Sequence, residues 1–159
     1  MQMTTQNNQG KFGVNVWWTI PEVIKDGDEV QQILERSGFE KTDIPLPSRR
    51  VEVSRACYSF QNRRGKDNRR VTEKATEDDN FIIYGILDRV QRDSDKVGFS
   101  QTTTVRLDKA NDSVNVEGAL SSEVTAAIAE FTGKITDADV RAFLRRVIKM
   151  CYGVAKRPT

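Results

Sequence analysis

The sequence contains no histidine among its 159 residues, and this absence narrows the chemistry open to the protein. Without an imidazole, the chain has no Ser-His or Cys-His nucleophilic pair and lacks the most common general base. Its two cysteines cannot supply the full set of nitrogen and sulfur ligands of a structural zinc site. The sequence therefore favours a binding domain, with no catalytic residue, no metal and no cofactor, over an enzyme.

Cysteine and long apolar runs are equally scarce. Cys57 and Cys151 both lie within apolar helical patterns, so we expect buried thiols in a reducing cytosol rather than a disulfide. No apolar run approaches the roughly 20 residues that a membrane-spanning helix requires, and no signal peptide opens the chain. The sequence thus predicts a cytoplasmic protein that does not engage a membrane.

The length of the chain fits one domain. Residues 1–10 are rich in Gln, Asn and Thr and have no apolar core, which predicts a disordered lead-in. Residues 11–159 are predicted to form a single domain. The chain stops at Thr159, just beyond a strongly patterned helix, so we expect either a fragment of a longer protein or a partner that packs there.

The last helix has the clearest pattern in the sequence. Thr136 with Asp139 resembles a capping box, and basic residues follow towards the other end of the helix. Apolar residues recur at helical spacing and predict one buried stripe on a helix from Thr136 to about Tyr152. The stripe consists of Val140, Phe143, Leu144, Val147, Ile148, Cys151 and Tyr152.

The preceding segments alternate between strand and helix patterns. Residues 12–20 show the period of a strand, and residues 29–36 that of a helix with Asp26 or Asp28 as its cap. A second helix is predicted after Ser48, and a further helix after Ser121. Residues 62–80 begin with a run of basic residues, end with acidic residues and contain almost no apolar residue. We therefore expect a charged loop or arm there.

Residues 80–118 contain three strand patterns joined by short links rich in Asp, Asn and Ser. Links of this length permit antiparallel neighbours and exclude parallel crossovers. The predicted fold class is therefore α+β: an antiparallel sheet, built from a three-strand meander at 80–118 plus the N-terminal strand at 12–20, with helices packed on one face.

Clustered arginine is the main functional signal, although the formal net charge is only +2. Arginine binds phosphate in a bidentate manner and stacks on bases, so the cluster predicts contacts with a nucleic-acid backbone. Trp17, Tyr58 and Tyr84 are the candidate aromatic platforms for a single strand. The predicted binding residues are Arg49, Arg50, Arg55, Arg63, Arg64, Lys66, Arg69 and Arg70, with Arg145, Arg146 and Lys149 of the last helix.

Three alternatives stay open at this point. These cations can simply solvate helix faces and pair with nearby acids. The acid–base polarity of 62–80 also fits an assembly or adaptor domain that binds a protein partner or associates with itself. A metal-dependent nuclease is the third alternative, because Asp88 and Glu117 could meet across the sheet to hold Mg²⁺.

Overall fold

The computed structural model describes residues 2–8, 11–17, 19–21, 24–61, 70–93 and 96–150. These residues contain four α-helices and eight strands, and the predicted α+β class is confirmed. In chain order the elements are β1 (Gln2–Asn8), β2 (Lys11–Trp17), β3 (Ile24–Asp26), α1 (Gly27–Arg36), α2 (Arg49–Ser59), β4 (Arg70–Glu77), β5 (Phe81–Asp93), β6 (Lys96–Asp108), β7 (Val114–Gly118), α3 (Ser121–Phe131), β8 (Lys134–Thr136) and α4 (Asp137–Met150).

The chain divides into two compact units. The sheet unit comprises Lys25–Ile135, and the terminal unit comprises Met1–Ile24 together with Thr136–Thr159. In the terminal unit β1 and β2 form an antiparallel pair, and Arg141 of α4 donates a hydrogen bond to the Ile20 carbonyl (3.3 Å). The prediction of a single domain over 11–159 stays a prediction.

The sheet unit is built on four consecutive antiparallel strands in the order β4-β5-β6-β7. The predicted meander is present, with β5 and β6 at its centre. Their side chains alternate, so that Ile82, Tyr84 and Ile86 lie on one face and are almost completely buried, as is Val105 on β6. This inner face packs against α2 and α3, which places the helices on one face of the sheet as predicted.

One prediction about the sheet differs in part from the structure. We expected a charged loop or arm at 62–80; residues 62–69 lie outside the described residues, and Arg70–Glu77 form β4, an edge strand among the strands that the structure describes. Charged residues such as Glu73 and Lys74 are usual on an edge strand, because they discourage pairing with other chains. The inward Thr72 anchors the strand through a hydrogen bond to the Cys57 carbonyl (2.8 Å).

At the N-terminus, where we expected a disordered lead-in at 1–10, Gln2–Asn8 form a strand whose backbone pairs with β2. Met1, Gln9 and Gly10 lie outside the described residues. The strand predicted at 12–20 is β2, and its partner is β1. The fourth strand of the larger sheet is β4 instead.

Local capping explains where the helices begin. The Asp26 side chain accepts hydrogen bonds from Asp28 N and Glu29 N at the start of α1. At α4 the Asp139 carboxylate accepts from both the backbone N and the hydroxyl of Thr136 (2.8 and 3.0 Å), which is one half of the predicted capping-box arrangement. At α3 the cap position is Leu120 rather than the predicted Ser121, which is already helical.

Within the described part of the chain, no helix is both long enough and apolar enough to cross a bilayer.

Candidate nucleic-acid interface

Arg49 is held by a carboxylate of its own helix. Glu52 is almost completely buried, and its Oε2 accepts from Arg49 Nη1 at 3.0 Å. The other oxygen of Glu52 accepts from the backbone N of Gly133 at 2.7 Å, while Arg49 also donates to the Thr132 hydroxyl at 2.9 Å. We name this arrangement the Glu52 clamp, and it ties α2 to the turn between α3 and β8.

Arg50 belongs to a second ion-pair network. Its guanidinium contacts both oxygens of Glu77 on β4, at 2.9 and 3.1 Å. The same carboxylate contacts Lys74 Nζ at 2.6 Å and Lys109 Nζ at 3.3 Å. Three cations thus surround one carboxylate, which links α2, β4 and the turn after β6.

This network makes a prediction about acid stability. Three neighbours lower the pKa of the Glu77 carboxyl below its ordinary value of 4.5. The largest cause is the hydrogen bond from Lys74, and the hydrogen bond from Lys109 and the positive charge of Arg50 act in the same direction. A lowered pKa in the folded state contributes stability above pH 4.5, and that stability is lost as the pH falls through the native pKa. We expect Glu77→Gln to lower the melting temperature at neutral pH and to have little effect in acid.

Thermal unfolding followed by circular dichroism between neutral pH and pH 3 checks this expectation. Glu130→Gln is the matched control, because Glu130 is an exposed carboxylate on α3. If the difference in melting temperature between Glu77→Gln and the unmodified protein does not become smaller as the pH falls, the role given to the network is contradicted.

Arg70 and Arg55 also have partners inside the sheet unit. Arg70 donates two hydrogen bonds, of 2.6 and 3.2 Å, to the carboxylate of Asp88 on the neighbouring strand. This carboxylate raises the pKa of Arg70. Arg55 donates to the Lys134 carbonyl at 3.3 Å. Pairing with nearby acids, the competing interpretation of the sequence, therefore describes Arg49, Arg50 and Arg70.

Four of the predicted binding residues lie outside the described residues: Arg63, Arg64, Lys66 and Arg69.

The predicted residues of α4 form a different surface. At 100° per residue, the outward arc of α4 contains Arg145 at its centre, with Lys149 one turn further and Arg146 beside them. All three side chains are exposed, and so are Ala138 and Ala142 on the same arc. The opposite side of α4 carries the predicted apolar stripe: Phe143 is buried, and Val140, Leu144, Val147 and Ile148 are half-buried. The remaining predicted members, Cys151 and Tyr152, lie outside the described residues.

The acidic residues of α4 are confined to its first turn. Asp137 pairs with Arg141 at 2.8 Å, and Asp139 is occupied by the cap of the helix. The second half of the helix therefore presents Arg145 and Lys149 in a stretch that contains no carboxylate.

Formal charge is divided unevenly between the two units. The sheet unit, residues 25–135, contains 18 Lys and Arg against 20 Asp and Glu, whereas residues 1–24 and 136–159 contain 7 against 3. The excess of positive charge in the whole chain thus comes from the terminal unit, whose net charge is +4, and α4 with four cations and two carboxylates accounts for half of it.

The carboxylates proposed for a nuclease do not converge. Asp88 pairs in register with Ser100, and Glu117 pairs with Thr104, four residues further along β6, or roughly 13 Å at 3.3 Å per residue. Their side chains also point to opposite faces of the sheet. Among the described residues no group of three or more acidic, cysteine or histidine side chains could hold a metal ion. The expected meeting of Asp88 and Glu117 is wrong.

The remaining candidates from the sequence are buried or undescribed. Burial raises the pKa of the Cys57 thiol to about 12, so Cys57 is a packing residue, as predicted, rather than a nucleophile. Tyr84 is 2% exposed and packs edge-on against Tyr58, which leaves it unavailable as a stacking platform. The side chain of Trp17 lies outside the described residues.

Comparisons with known proteins supply a family but no activity. The model of DUF6744, a family of unknown function, matches residues 11–159. No curated protein and no solved structure matches the chain.

Proposed function

Because the chain belongs to DUF6744, a family of unknown function, we propose its function from its own surface: it binds a nucleic-acid backbone through the outward arc of α4. The observation that carries this proposal is the uneven division of charge. The sheet unit has more acidic than basic residues, whereas α4 concentrates cations on an exposed arc. Phosphate contacts are the main source of sequence-independent affinity for nucleic acid.

The spacing on α4 suits a backbone of phosphates. Arg145 and Lys149 are one turn apart, which corresponds to an axial rise of about 6 Å. Each strand of a duplex carries one charge per roughly 3.4 Å of axis, so the two side chains can reach separate phosphates. Ala138 and Ala142 project little from the same arc, which allows the helix to approach the backbone closely.

The arginines of α2 and β4 contribute less in this proposal. Arg49, Arg50 and Arg70 already contact carboxylates at 2.6–3.0 Å, so a phosphate has to compete with an existing partner. The competition is least favourable at Arg49, because its partner Glu52 is buried and also holds Gly133. We therefore assign the main contacts to Arg145 and Lys149, with Arg146 beside them.

Salt-dependent binding tests the proposal. We expect the protein to bind a labelled duplex or single strand at low salt, and the affinity to fall as salt is added. If Arg145 and Lys149 each meet one phosphate, the variant Arg145→Ala/Lys149→Ala should reduce the slope of log K against log salt by about 1.8 for a duplex and about 1.4 for a single strand. Fluorescence anisotropy over a salt series measures both slopes.

A control with the same loss of charge separates a local contact from a general electrostatic effect. Lys25→Ala/Lys41→Ala removes two exposed cations from the sheet unit. We expect this variant to keep nearly the full salt slope. No binding to either nucleic acid at low salt, or an equal loss in the two variants, would overturn the proposal.

A further inference from the structure

Among the described residues, the two central strands of the sheet extend beyond both of their neighbours. The described part of β4 pairs with β5 as far as Asp88, and β7 pairs with β6 from Thr103 to Leu107. The pairing of β5 with β6 nevertheless continues to Asp93 and Lys96. We name the extension, residues 89–93 and 96–101, the ribbon. Two strands alone are marginally stable in water, so a ribbon gains from a third strand.

One edge of the ribbon has no neighbouring strand among the described residues. The chain leaves β7 at Gly118, and Ala119 N donates the last backbone bond on that side, to the Thr102 carbonyl at 3.0 Å. The chain then enters α3, and no described strand pairs with the β7 side of residues 98–101. Their outward N–H and C=O groups form a template for an extended chain.

A β-bulge marks the point where the ribbon begins. Ile86 pairs with Thr103 but Leu87 pairs with Gln101, so Thr102 has no opposing residue. Its hydroxyl instead donates to the Ile86 carbonyl at 3.1 Å. Bulges bend a strand and end regular pairing, and this one lies where β7 stops.

The outer face of the sheet is partly apolar where the ribbon begins. Val71 and Leu87 are opposite each other on β4 and β5 and are half-buried, and Phe99 is diagonal to Leu87 on β6. Phe99 is 43% exposed, an unusual state for a large aromatic side chain. These three residues form an apolar strip across the strands, and the strip ends at the open edge of β6.

An exposed cation near the open edge indicates which side chains a bound segment should carry. Arg89 is directly opposite Phe99 and is exposed, and no ion pair of the described residues includes it. By contrast, Arg70 and Asp88 on the inner face neutralise each other at 2.6 Å. The outer side of the ribbon thus offers a ring and a cation, which an apolar side chain and a carboxylate complement.

We infer that residues 98–101 of β6 bind an extended, acidic segment of a partner protein by strand addition. The backbone of the segment pairs with the open edge, an apolar residue packs beside Phe99, and a carboxylate reaches Arg89. In this mode the backbone bonds supply affinity and the alternate side chains supply specificity. This site belongs to the sheet unit and does not depend on nucleic-acid binding by α4.

A labelled seven-residue peptide, Thr-Val-Thr-Glu-Thr-Val-Thr, is a suitable probe of the edge, because residues two apart in a strand face the same side and Val and Glu therefore lie together on the outer face. We name it the Glu/Val peptide. We expect it to bind, and its affinity to fall about fivefold with Phe99→Ala, which removes a packing contact with the neighbouring strand, and again with Arg89→Ala, which removes the cation that the Glu side chain reaches along the outer face. In an NMR titration, the backbone amide signals that shift on binding should include those of residues 98–101. Ile33→Ala is the control, because Ile33 is a 54% exposed apolar residue on α1.

Two further peptides distinguish strand addition from general attraction. A Lys/Val version should bind far more weakly, and a Glu/Val version N-methylated on alternate amides should not bind, because it cannot pair along the edge. Equal binding of the Lys/Val peptide, retained binding after N-methylation, or no binding of the Glu/Val peptide would overturn the inference. A dimer that Phe99→Ala dissociates would assign the edge to a second copy and also overturn it.

Discussion

Glu52→Ala is expected to lower the free energy of unfolding by about 3 kcal/mol, among the largest effects of any single substitution in this chain. The change leaves the Gly133 N–H without its acceptor and removes the carboxylate that neutralises Arg49. Glu52 is almost completely buried, and the Arg49 side chain and Gly133 are only partly exposed to water. An unpartnered N–H and an unpaired cation there each cost free energy.

Two control variants separate the parts of the Glu52 clamp. Glu52→Gln keeps an oxygen for Gly133 but loses the charge, so we expect a smaller loss than with alanine. Arg49→Ala breaks the ion pair from the other side. In a double-mutant cycle measured by urea denaturation, Glu52 and Arg49 should couple with a favourable interaction energy. Additive effects of the two substitutions would show that the clamp does not act as one unit.

Ile86→Ala is expected to lower the free energy of unfolding by about 4 kcal/mol. Ile86 is completely buried at the centre of β5, beneath the two helices that cover the inner face. Truncation removes buried methyl and methylene groups and leaves a cavity that a close-packed core fills only in part. Ile86→Val should cost only about 1 kcal/mol, because it removes one methyl group.

The outer face of the same strand provides the matched control. Ile83 is three residues away on β5 and is half-buried on the face opposite to the helices. We expect Ile83→Ala to cost clearly less than Ile86→Ala in the same denaturation assay, since solvent already contacts its side chain. Equal losses at the two positions would contradict the arrangement of helices on one face.

The sequence predicts those elements whose apolar pattern is set by burial. β5 and β6 carry regular apolar residues because one face of the sheet is covered, and α4 shows its stripe for the same reason. The sequence does not predict β4, because an edge strand buries few side chains and therefore shows no apolar pattern. Thr72 is the only buried residue of β4. β1 escapes prediction for a related reason, since its identity depends on a backbone ladder to β2 rather than on apolar residues.

The sequence alone does not predict which carboxylates pair with the arginines, because the pairing depends on strand register and tertiary packing. Arg50 and Glu77 are far apart in sequence, and they meet only when α2 packs on the sheet and β4 forms its edge. Glu52 and Gly133 are more distant still. A local count of arginines between 49 and 70 therefore overstates the charge available to a ligand. On α4 the local count is more reliable, because helical periodicity alone places Arg145 and Lys149 on one side.

The topology of the sheet unit also bears on the order in which it folds. β4 pairs with β5, β5 with β6 and β6 with β7, so these three pairings join strands consecutive in the chain, close only short loops and should form early. The pairing of β3 with β8 instead joins the two ends of the unit, supported by a bond from Gly27 N to the Gly133 carbonyl at 2.9 Å and by Lys134 with Asp26, also at 2.9 Å. Its loop-closure entropy is the largest in the unit, which makes it a late event. In a φ-value experiment, substitutions at this junction should accelerate unfolding and leave the refolding rate almost unchanged.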